Sequence, residues 1–264
     1  MSEPELESSA AADHIYRLDV IARRLEDYTF RYERDKDRRC VFTYVYARMT
    51  KSISDRLRSS DVADPEWVVT LAEVFSNMYF EALDDYDQGK PVSAVWQTVF
   101  GALDSRRTSI LEELVFGMTA HIVHDLPFAL KKVGLTTQGS SRIHDFHIVN
   151  EMMKEEMKSI QVETARRYSP FVRWLDRMLE DYDEIVTDYG VRMSRGLAWY
   201  NAERLLDPAS EAHTKGAIEK SPMRVVETLM HPPRPLRFLL RVFRWTVGRL
   251  RRWPRSTIRV GQSS

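Results

Sequence analysis

One segment, residues 108–134, carries apolar side chains around its whole circumference when it is drawn as a helix. Ile110, Val115, Met118 and Val123 point in four different directions on such a helix. A helix that is apolar all round is normally buried on every side. We therefore predict that this segment is the central helix of a bundle.

The rest of the chain also reads as helical. Its 264 residues include only 10 glycines and 11 prolines, and clear alternation of apolar and polar residues is missing. The predicted fold is an all-α, multi-helix bundle with a central buried helix bearing His and Asp and a C-terminal basic amphipathic helix. The periodic segments lie at about 12–30, 38–59, 64–85, 91–103, 108–134, 141–167 and 183–206.

Composition and the positions of glycine and proline indicate four regions. We expect a flexible N-terminus (1–10), a helical domain (11–207), a linker with one weak helix (208–235) and a basic amphipathic tail (236–264). Cys40 is the single cysteine, so an intrachain disulfide cannot form. The acidic start has no secretory pattern, which predicts a cytoplasmic protein.

The central segment contains a polar group that a core does not readily accept. His121, His124 and Asp125 share one side of the helix, and Pro127 follows. An unpaired buried polar group costs about 1–3 kcal/mol, so these side chains need partners. Pro127 is expected to bend or end the helix beyond Asp125 and to free the carbonyl of Val123.

The next helix repeats the pattern with His144 and His147. Consecutive helices joined by a short loop normally pack antiparallel, which would let the four imidazoles converge. Two interpretations stay open, and in a third the second pair merely faces solvent. In the first, a divalent metal (Zn, Fe or Mn) is bound by His121, His124, Asp125, His144 and His147. In the second, the same groups form a buried hydrogen-bond network, with Arg192 or Arg195 as a further partner.

A narrower version of the metal hypothesis is a metal-dependent enzyme, either an oxidase or a hydrolase of the HD type. The HD order of ligands can be threaded through His121, His144-Asp145 and then Asp181 or Asp183. The chain has no glycine-rich phosphate loop, no Cys-x-x-Cys and no nucleophile elbow. No other catalytic motif supports an enzyme.

The tail has a charge and an apolar pattern of its own. Residues 231–264 contain nine arginines, no lysine and no acid, so residues 1–230 carry a net charge of −9. On a helix, the arginines lie opposite the aromatic and aliphatic side chains, which favours an anionic membrane surface over nucleic acid. Docking on the acidic body, in the same chain or in a second copy as a homodimer, is the alternative. The predicted membrane-contacting residues are Arg237, Arg241, Arg244, Arg251, Arg252, Phe238, Phe243 and Trp253.

Several stretches together resemble a bacterial family of helical domains of unknown function, DUF5995. They are DRRCVFTYVYARMT (37–50), DPEWVVTLAEVFSNMYFEAL (64–83), Pro91 with Trp96, GMTAHIVHDLPFAL (117–130), a His/Asp-rich helix start that reaches Val149-Asn150, and RGLAWYNAERL (195–205). Members more often have Asn at the position of Thr119. The resemblance covers about 30–207 and implies one helical domain with the 121–125 segment at its centre. It implies no activity and no catalytic residue.

The sequence thus predicts a cytoplasmic helical protein with a buried polar or metal-binding centre, peripherally associated with the inner face of a membrane through its tail. A metal-dependent enzyme is the alternative.

Overall fold

A computed structural model describes most of the chain. It covers residues 3–137, 140–168 and 183–233, and in the tail 237–238, 241–242, 244–245, 251 and 253–254. Side chains are described within these ranges except at 3–8, 137, 140–141 and 183–189.

The described chain is built from helices, which confirms the predicted all-α bundle. Thr136–Thr137 and Ser140–Ser141 pair as two short antiparallel strands (β1 and β2) in the turn that precedes α7. The α-helices are α1 (Glu3–Arg34), α2 (Cys40–Leu57), α3 (Pro65–Asp87), α4 (Ala94–Asp104), α5 (Ile110–Met118), α6 (Leu126–Val133), α7 (Ile143–Tyr168), α8 (Asp183–Leu206) and α9 (Glu211–Met230).

Local signals in the sequence fix several helix starts. Asp64 precedes Pro65, and its side chain accepts a hydrogen bond from the backbone of Trp67. Ser109 forms a reciprocal capping box with Glu112 at the start of α5. Such caps satisfy backbone N–H groups that have no partner within the helix. They place α3 and α5 in the register that aims their apolar faces inward.

The predicted central helix is central but not a continuous α-helix. Residues Thr119–Asp125 form a π-helix between α5 and α6, which we call the π segment. It contacts α3, α4, α5, α6, α8 and α9, and Ala120, His121 and Asp125 are buried in it. The ring of Pro127 would crowd the carbonyl of Val123 in a regular α-helix. The wider π turn just before Pro127 gives that ring room, and π segments occur often at functional sites.

Two of the expected regions contain residues that are helical in the structure. Residues 208–235, expected to be a linker with one weak helix, contain the 20-residue helix α9, which packs on α4, α8 and the π segment. Its buried stripe, Thr214, Ile218, Pro222 and Val226, recurs every four residues. Burial of this stripe against the body keeps the helix in spite of its internal proline. At the other end, α1 begins at Glu3, inside the stretch expected to be flexible.

A close helix approach supports the π segment from one side. A side chain at Gly117 would collide with the ring of Phe42 on α2. Glycine therefore lets α2 and α5 approach closely, one turn before His121. Phe42 in turn contacts the edge of the His121 ring, with the ring centroids 6.0 Å apart.

No helix in the described ranges is both long enough and apolar enough to cross a membrane.

Candidate functional site

The carboxylate of Asp125 is the centre of a buried hydrogen-bond group on the π segment. Its Oδ2 lies 3.0 Å from Nδ1 of His121 and 3.0 Å from Nε1 of Trp96, which donates to it. Its Oδ1 lies 2.6 Å from Nδ1 of His124. His121, Asp125 and His124 of the π segment are therefore hydrogen-bonded to one another through the Asp125 carboxylate, and α4 contributes the indole of Trp96 as a further donor.

The surroundings set the charge of this group. Burial alone would raise the pKa of Asp125, but hydrogen bonds from His121 and His124 hold that pKa below its ordinary value of 3.8. Burial lowers the pKa of His121 below 6.5, although Asp125 acts in the opposite direction. Asp125 is thus an ionised acceptor and His121 is a neutral imidazole. Nδ1 of His121 must then be the protonated nitrogen, and its Nε2 carries a lone pair.

The ring of His121 is fixed by aromatic neighbours. Phe75 stacks on it with ring centroids 3.6 Å apart and an angle of 5° between the planes. The Tyr46 ring lies 4.9 Å away and the Tyr79 ring 5.4 Å away, both tilted. Nε2 of His121 is buried and has no hydrogen-bond partner in the described chain. A fixed imidazole therefore keeps an unused acceptor in the core.

His121 also forms part of the wall of a cavity of about 130 Å³. Residues of α1, α2, α3, α5, α6, α7 and α8 and of the π segment supply the rest of the wall, which is mostly aliphatic and aromatic. Among them are Ile21, Val45, Met49, Ile53, Val68, Leu71, Ala72, Phe75, Met118, Ile122, Leu126, Phe146, Val149, Met153, Met157 and Val191. Tyr46, Thr50, Trp67, His121 and Arg195 bring polar atoms to the wall.

Arg195 on α8 is a buried cation in the same wall. Its side chain donates to the amide oxygen of Asn150 and lies over the ring of Phe146, with the guanidinium carbon 4.3 Å from the ring centroid. No carboxylate in the described ranges forms an ion pair with it. Burial accordingly lowers the pKa of Arg195 to about 10, and the one charge effect that opposes this is the Tyr46 hydroxyl.

The predicted convergence of four imidazoles does not occur. His144 and His147 are exposed on α7, whereas His121 and His124 are buried. The reason is that α7 packs chiefly on α2 instead of lying along α6, so the face that bears these histidines is turned to solvent. The structure therefore agrees with the third interpretation, in which His144 and His147 face solvent.

The buried hydrogen-bond network is present, but with a different set of partners. Trp96 takes the place that an arginine was expected to fill. Arg192 pairs with Glu151, with 2.8 Å between the charged atoms, and Arg195 bonds Asn150. Asp145 accepts hydrogen bonds from the backbone nitrogens of Ala63 (2.8 Å) and Asp64 (2.9 Å), where it supports the start of α3.

The residues of the metal hypothesis are therefore not gathered in one place. Among the described residues, no group of three or more His, Cys, Asp or Glu side chains could hold a metal ion. In the HD-type order, Asp181 lies outside the described residues, and so does the side chain of Asp183. Nε2 of His121 is the one unpartnered, buried imidazole nitrogen, and a single nitrogen does not make a metal site.

Sequence reasoning missed the aromatic half of this site. Trp96 and Phe75 looked like ordinary core anchors, and Tyr46 belongs to an apolar stretch. One signal could have found Trp96: a buried indole N–H needs an acceptor, and Asp125 is a buried acceptor on a neighbouring helix. Phe75 and Tyr46 offer no such signal, because an apolar ring packs equally well in any core.

Parts of the tail lie on the body. Arg244 pairs with Glu112 and Arg251 with Glu113, each with 2.6 Å between the charged atoms, and Trp253 packs against the core. Arg237, Phe238 and Arg241 are exposed. Phe243 and Arg252 lie outside the described residues. The predicted membrane-contacting set is therefore divided, because Arg244, Arg251 and Trp253 are taken up by contacts within the chain.

Comparison with known proteins gives a family and no activity. No curated protein matches the chain, and no solved structure matches it. A family of unknown function, DUF5995, matches residues 18–232. This range contains α2 to α9, the π segment and the whole cavity wall. The chain belongs to the DUF5995 family.

Proposed function

We propose that this chain is a small-molecule-binding protein whose ligand occupies the cavity beside His121 and donates a hydrogen bond to Nε2. The observation that carries the proposal is the unpartnered Nε2 of a buried histidine in the cavity wall. Leaving such an acceptor unsatisfied costs about 1–3 kcal/mol. A ligand with a donor group would recover that free energy.

The size of the cavity indicates the size of the ligand. An apolar cavity of about 150 Å³ holds benzene in an engineered protein. The cavity here measures about 130 Å³, so the apolar part of the ligand is about one six-membered ring in size. The predominance of apolar wall residues with a few convergent polar groups is typical of small-molecule sites.

Asp125 gives the site a chemical capacity beyond binding. Its carboxylate fixes the orientation and the tautomer of the His121 ring and raises the basicity of Nε2, as a carboxylate does for a catalytic histidine. Nε2 can therefore hold a proton-donating group of a ligand in place and can accept its proton.

Binding of benzyl alcohol, titrated by calorimetry and by ligand-observed NMR, tests the proposal. We expect saturable binding to the wild-type protein, with toluene binding more weakly because it has no donor. His121→Phe should weaken benzyl alcohol binding at least about tenfold, the equivalent of 1.4 kcal/mol. The matched control is His144→Phe, which changes an exposed ring and should leave binding unchanged. Equal binding by His121→Phe and wild type would overturn the proposal.

A metal-dependent enzyme is the alternative that the sequence raised. It would need ligands in addition to Nε2 of His121. Metal analysis of protein expressed in metal-replete medium tests it, with His121→Ala as the control. About one Zn, Fe or Mn per chain, lost in His121→Ala, would favour the enzyme over the binding protein.

A second activity, peripheral binding to an anionic membrane surface, is favoured by the exposed part of the tail. Phe238 is 70% exposed and Trp245 59% exposed, and Arg237 and Arg241 are exposed beside them. Aromatic side chains next to arginines suit the interface of a membrane with anionic lipids, where each basic residue contributes about 1 kcal/mol.

Co-sedimentation of the full chain with phosphatidylglycerol vesicles tests the membrane proposal. Phe238→Ser with Trp245→Ser should reduce the bound fraction severalfold, and high salt should reduce it further. Leu206→Ser is the matched control, since Leu206 is 52% exposed on α8, away from the tail. Equal sedimentation of the double variant and the control would refute membrane binding through these residues.

A further inference from the structure

We propose that the ligand of the central cavity is a small organic carboxylate that also carries a hydrogen-bond donor. Its anionic group is held by Arg195, its donor by Nε2 of His121, and its apolar body lies among the wall residues. This inference rests on the proposed function, because it names the chemical class of the molecule that would occupy the same cavity.

Arg195 has no compensating carboxylate among the described residues. A buried cation is normally paired, because removal of a charge from water is costly. Arg39, the other arginine buried in the described body, pairs with Asp37 and Asp87, and Arg251 of the tail pairs with Glu113. Arg195 has the neutral amide of Asn150 and the face of the Phe146 ring. It is thus a buried guanidinium with unused capacity for an anion.

The positions of Arg195 and His121 suit a single ligand that contacts both. Arg195 and His121 are both in the wall of one cavity, so an anion that reaches Arg195 has the rest of its body beside His121. Arginine suits a carboxylate in particular, because its planar fork can donate two parallel hydrogen bonds.

The groups around Arg195 also favour an anionic ligand. Tyr46, also in the wall, interacts electrostatically with both Arg195 and Asp125. Burial raises the pKa of the Tyr46 hydroxyl above its ordinary value of 10.0, so this group remains a hydrogen-bond donor. A carboxylate can accept from Tyr46 and Arg195, whereas a cationic ligand would meet an unpaired positive charge. Asp125 does not pair with Arg195: its two oxygens accept from His121, His124 and Trp96, and Asp125 is not among the groups that shift the pKa of Arg195.

The apolar wall excludes the smallest anions as the preferred ligand. Phosphate or sulfate would fill a cavity of about 130 Å³ lined mainly by aliphatic and aromatic carbon with a strongly hydrated ion, and would bury no apolar surface of its own. Each buried CH₂ of a ligand contributes about 0.8 kcal/mol. The preferred ligand therefore combines one carboxylate with a hydrocarbon body the size of a ring or a short chain.

The test compares 4-(hydroxymethyl)benzoate with benzyl alcohol, which share the ring and the hydroxymethyl donor and differ in the carboxylate. We expect the wild-type protein to bind 4-(hydroxymethyl)benzoate at least about tenfold more tightly than benzyl alcohol, and inorganic phosphate more weakly than either. Arg195→Gln should remove most of the preference for the carboxylate and leave benzyl alcohol binding within about twofold. The matched control is Arg192→Gln, on the same helix, which removes a cation that has a carboxylate partner and should keep the preference.

The outcomes separate the two proposals. Binding of benzyl alcohol that depends on His121, with 4-(hydroxymethyl)benzoate no tighter, would overturn the carboxylate inference and leave the binding function in place. Absence of binding by both compounds would overturn both proposals. A preference for the carboxylate that survives in Arg195→Gln would overturn the role of Arg195. The comparison within the wild-type protein needs no variant, so the inference stays testable even where Arg195→Gln does not fold.

Discussion

The two His-Asp dipeptides of this chain, His124-Asp125 and His144-Asp145, have the same chemistry and opposite surroundings. In each, a second histidine lies three residues away from the first. Asp125 accepts hydrogen bonds from His121 and His124 on its own π segment. Asp145 turns away from its histidines and accepts two backbone N–H groups in front of α3.

The difference teaches that the dipeptide does not decide whether a polar centre forms. A polar centre forms where the helical segment that carries the dipeptide is packed on all sides. The π segment continues α5 and α6, and α3, α4, α8 and α9 pack around it, so its buried polar side chains need partners within the core. Helix α7 has an open side, so water can hydrate His144 and His147. The comparison can be tested by removing each member in turn.

The largest expected effect is that of Asp125→Ala. Loss of the carboxylate leaves three buried donors, from His121, His124 and Trp96, without an acceptor. Removing the charged partner of a buried hydrogen-bonded group in this way lowers the free energy of unfolding by about 3–5 kcal/mol. Urea unfolding of wild type and Asp125→Ala, monitored by circular dichroism, measures the change in the free energy of unfolding.

The matched variant for that measurement is Asp145→Ala. Its loss should cost less, about 1–2 kcal/mol, because it leaves two backbone N–H groups before α3 without their acceptor instead of three buried side-chain donors. A larger loss for Asp145→Ala than for Asp125→Ala would reverse the comparison and would make the capping interaction the stronger of the two.

The next effect is that of His121→Ala against His144→Ala. His121 loses ring contacts with Phe75 and Tyr46 and leaves an enlarged cavity, so its removal should lower the free energy of unfolding by about 2–4 kcal/mol. His144 is exposed, and its removal should change that free energy by less than about 0.5 kcal/mol. Thermal unfolding of both variants is sufficient, and similar losses would contradict the assignment of one pair to the core and the other to solvent.

The sequence predicted much of the fold, because several signals in it are local. Apolar periodicity located the helices, and Asp64-Pro65 and Ser109 with Glu112 located two of their starts. The circumference of the 108–134 segment showed that it lies at the centre. These signals depend on neighbours within four residues, which a single sequence displays directly.

The site was less predictable because it depends on contacts between distant segments. Whether α7 would lie on α6 or on α2 is a question of packing that a short loop does not answer, and the wrong choice placed His144 and His147 in the centre. Arg195 was named as a partner for the histidines, yet it shares their cavity without bonding them. The cavity itself is a gap between side chains of eight helical segments, and no single stretch of sequence contains it.

A smaller effect, with the opposite sign, is expected for Arg195→Met. If Arg195 is kept for a ligand, the free protein bears the cost of an unpaired buried charge. A residue of similar length without charge should then raise the free energy of unfolding by about 1–2 kcal/mol in the absence of ligand. Arg192→Met, which removes a paired and partly exposed arginine, should change it by less than about 0.5 kcal/mol. A loss of stability in Arg195→Met would assign Arg195 a structural role instead.

The smallest effect is a dependence of stability on pH that His121 should cause. The pKa of His121 is lowered in the folded protein, so between that pKa and about 6.5 the unfolded chain binds a proton that the folded chain does not. The free energy of unfolding therefore falls as the pH falls through this range, by at most about 1.4 kcal/mol per pH unit for one proton.

Asp125 adds a second loss at lower pH. Its pKa is held below 3.8 in the folded state, so its contribution to stability is complete above 3.8 and disappears as the pH falls through the folded value. The two groups thus act in separate windows. Urea unfolding of wild type and His121→Phe at pH 7.5 and pH 5.5 isolates the upper window, because the phenylalanine cannot titrate. A smaller difference between the two pH values in His121→Phe than in wild type is the expected result. An equal dependence in the two proteins would mean that the buried imidazole takes up a proton as readily as it does in the unfolded chain, so that burial among the aromatic rings does not keep His121 neutral.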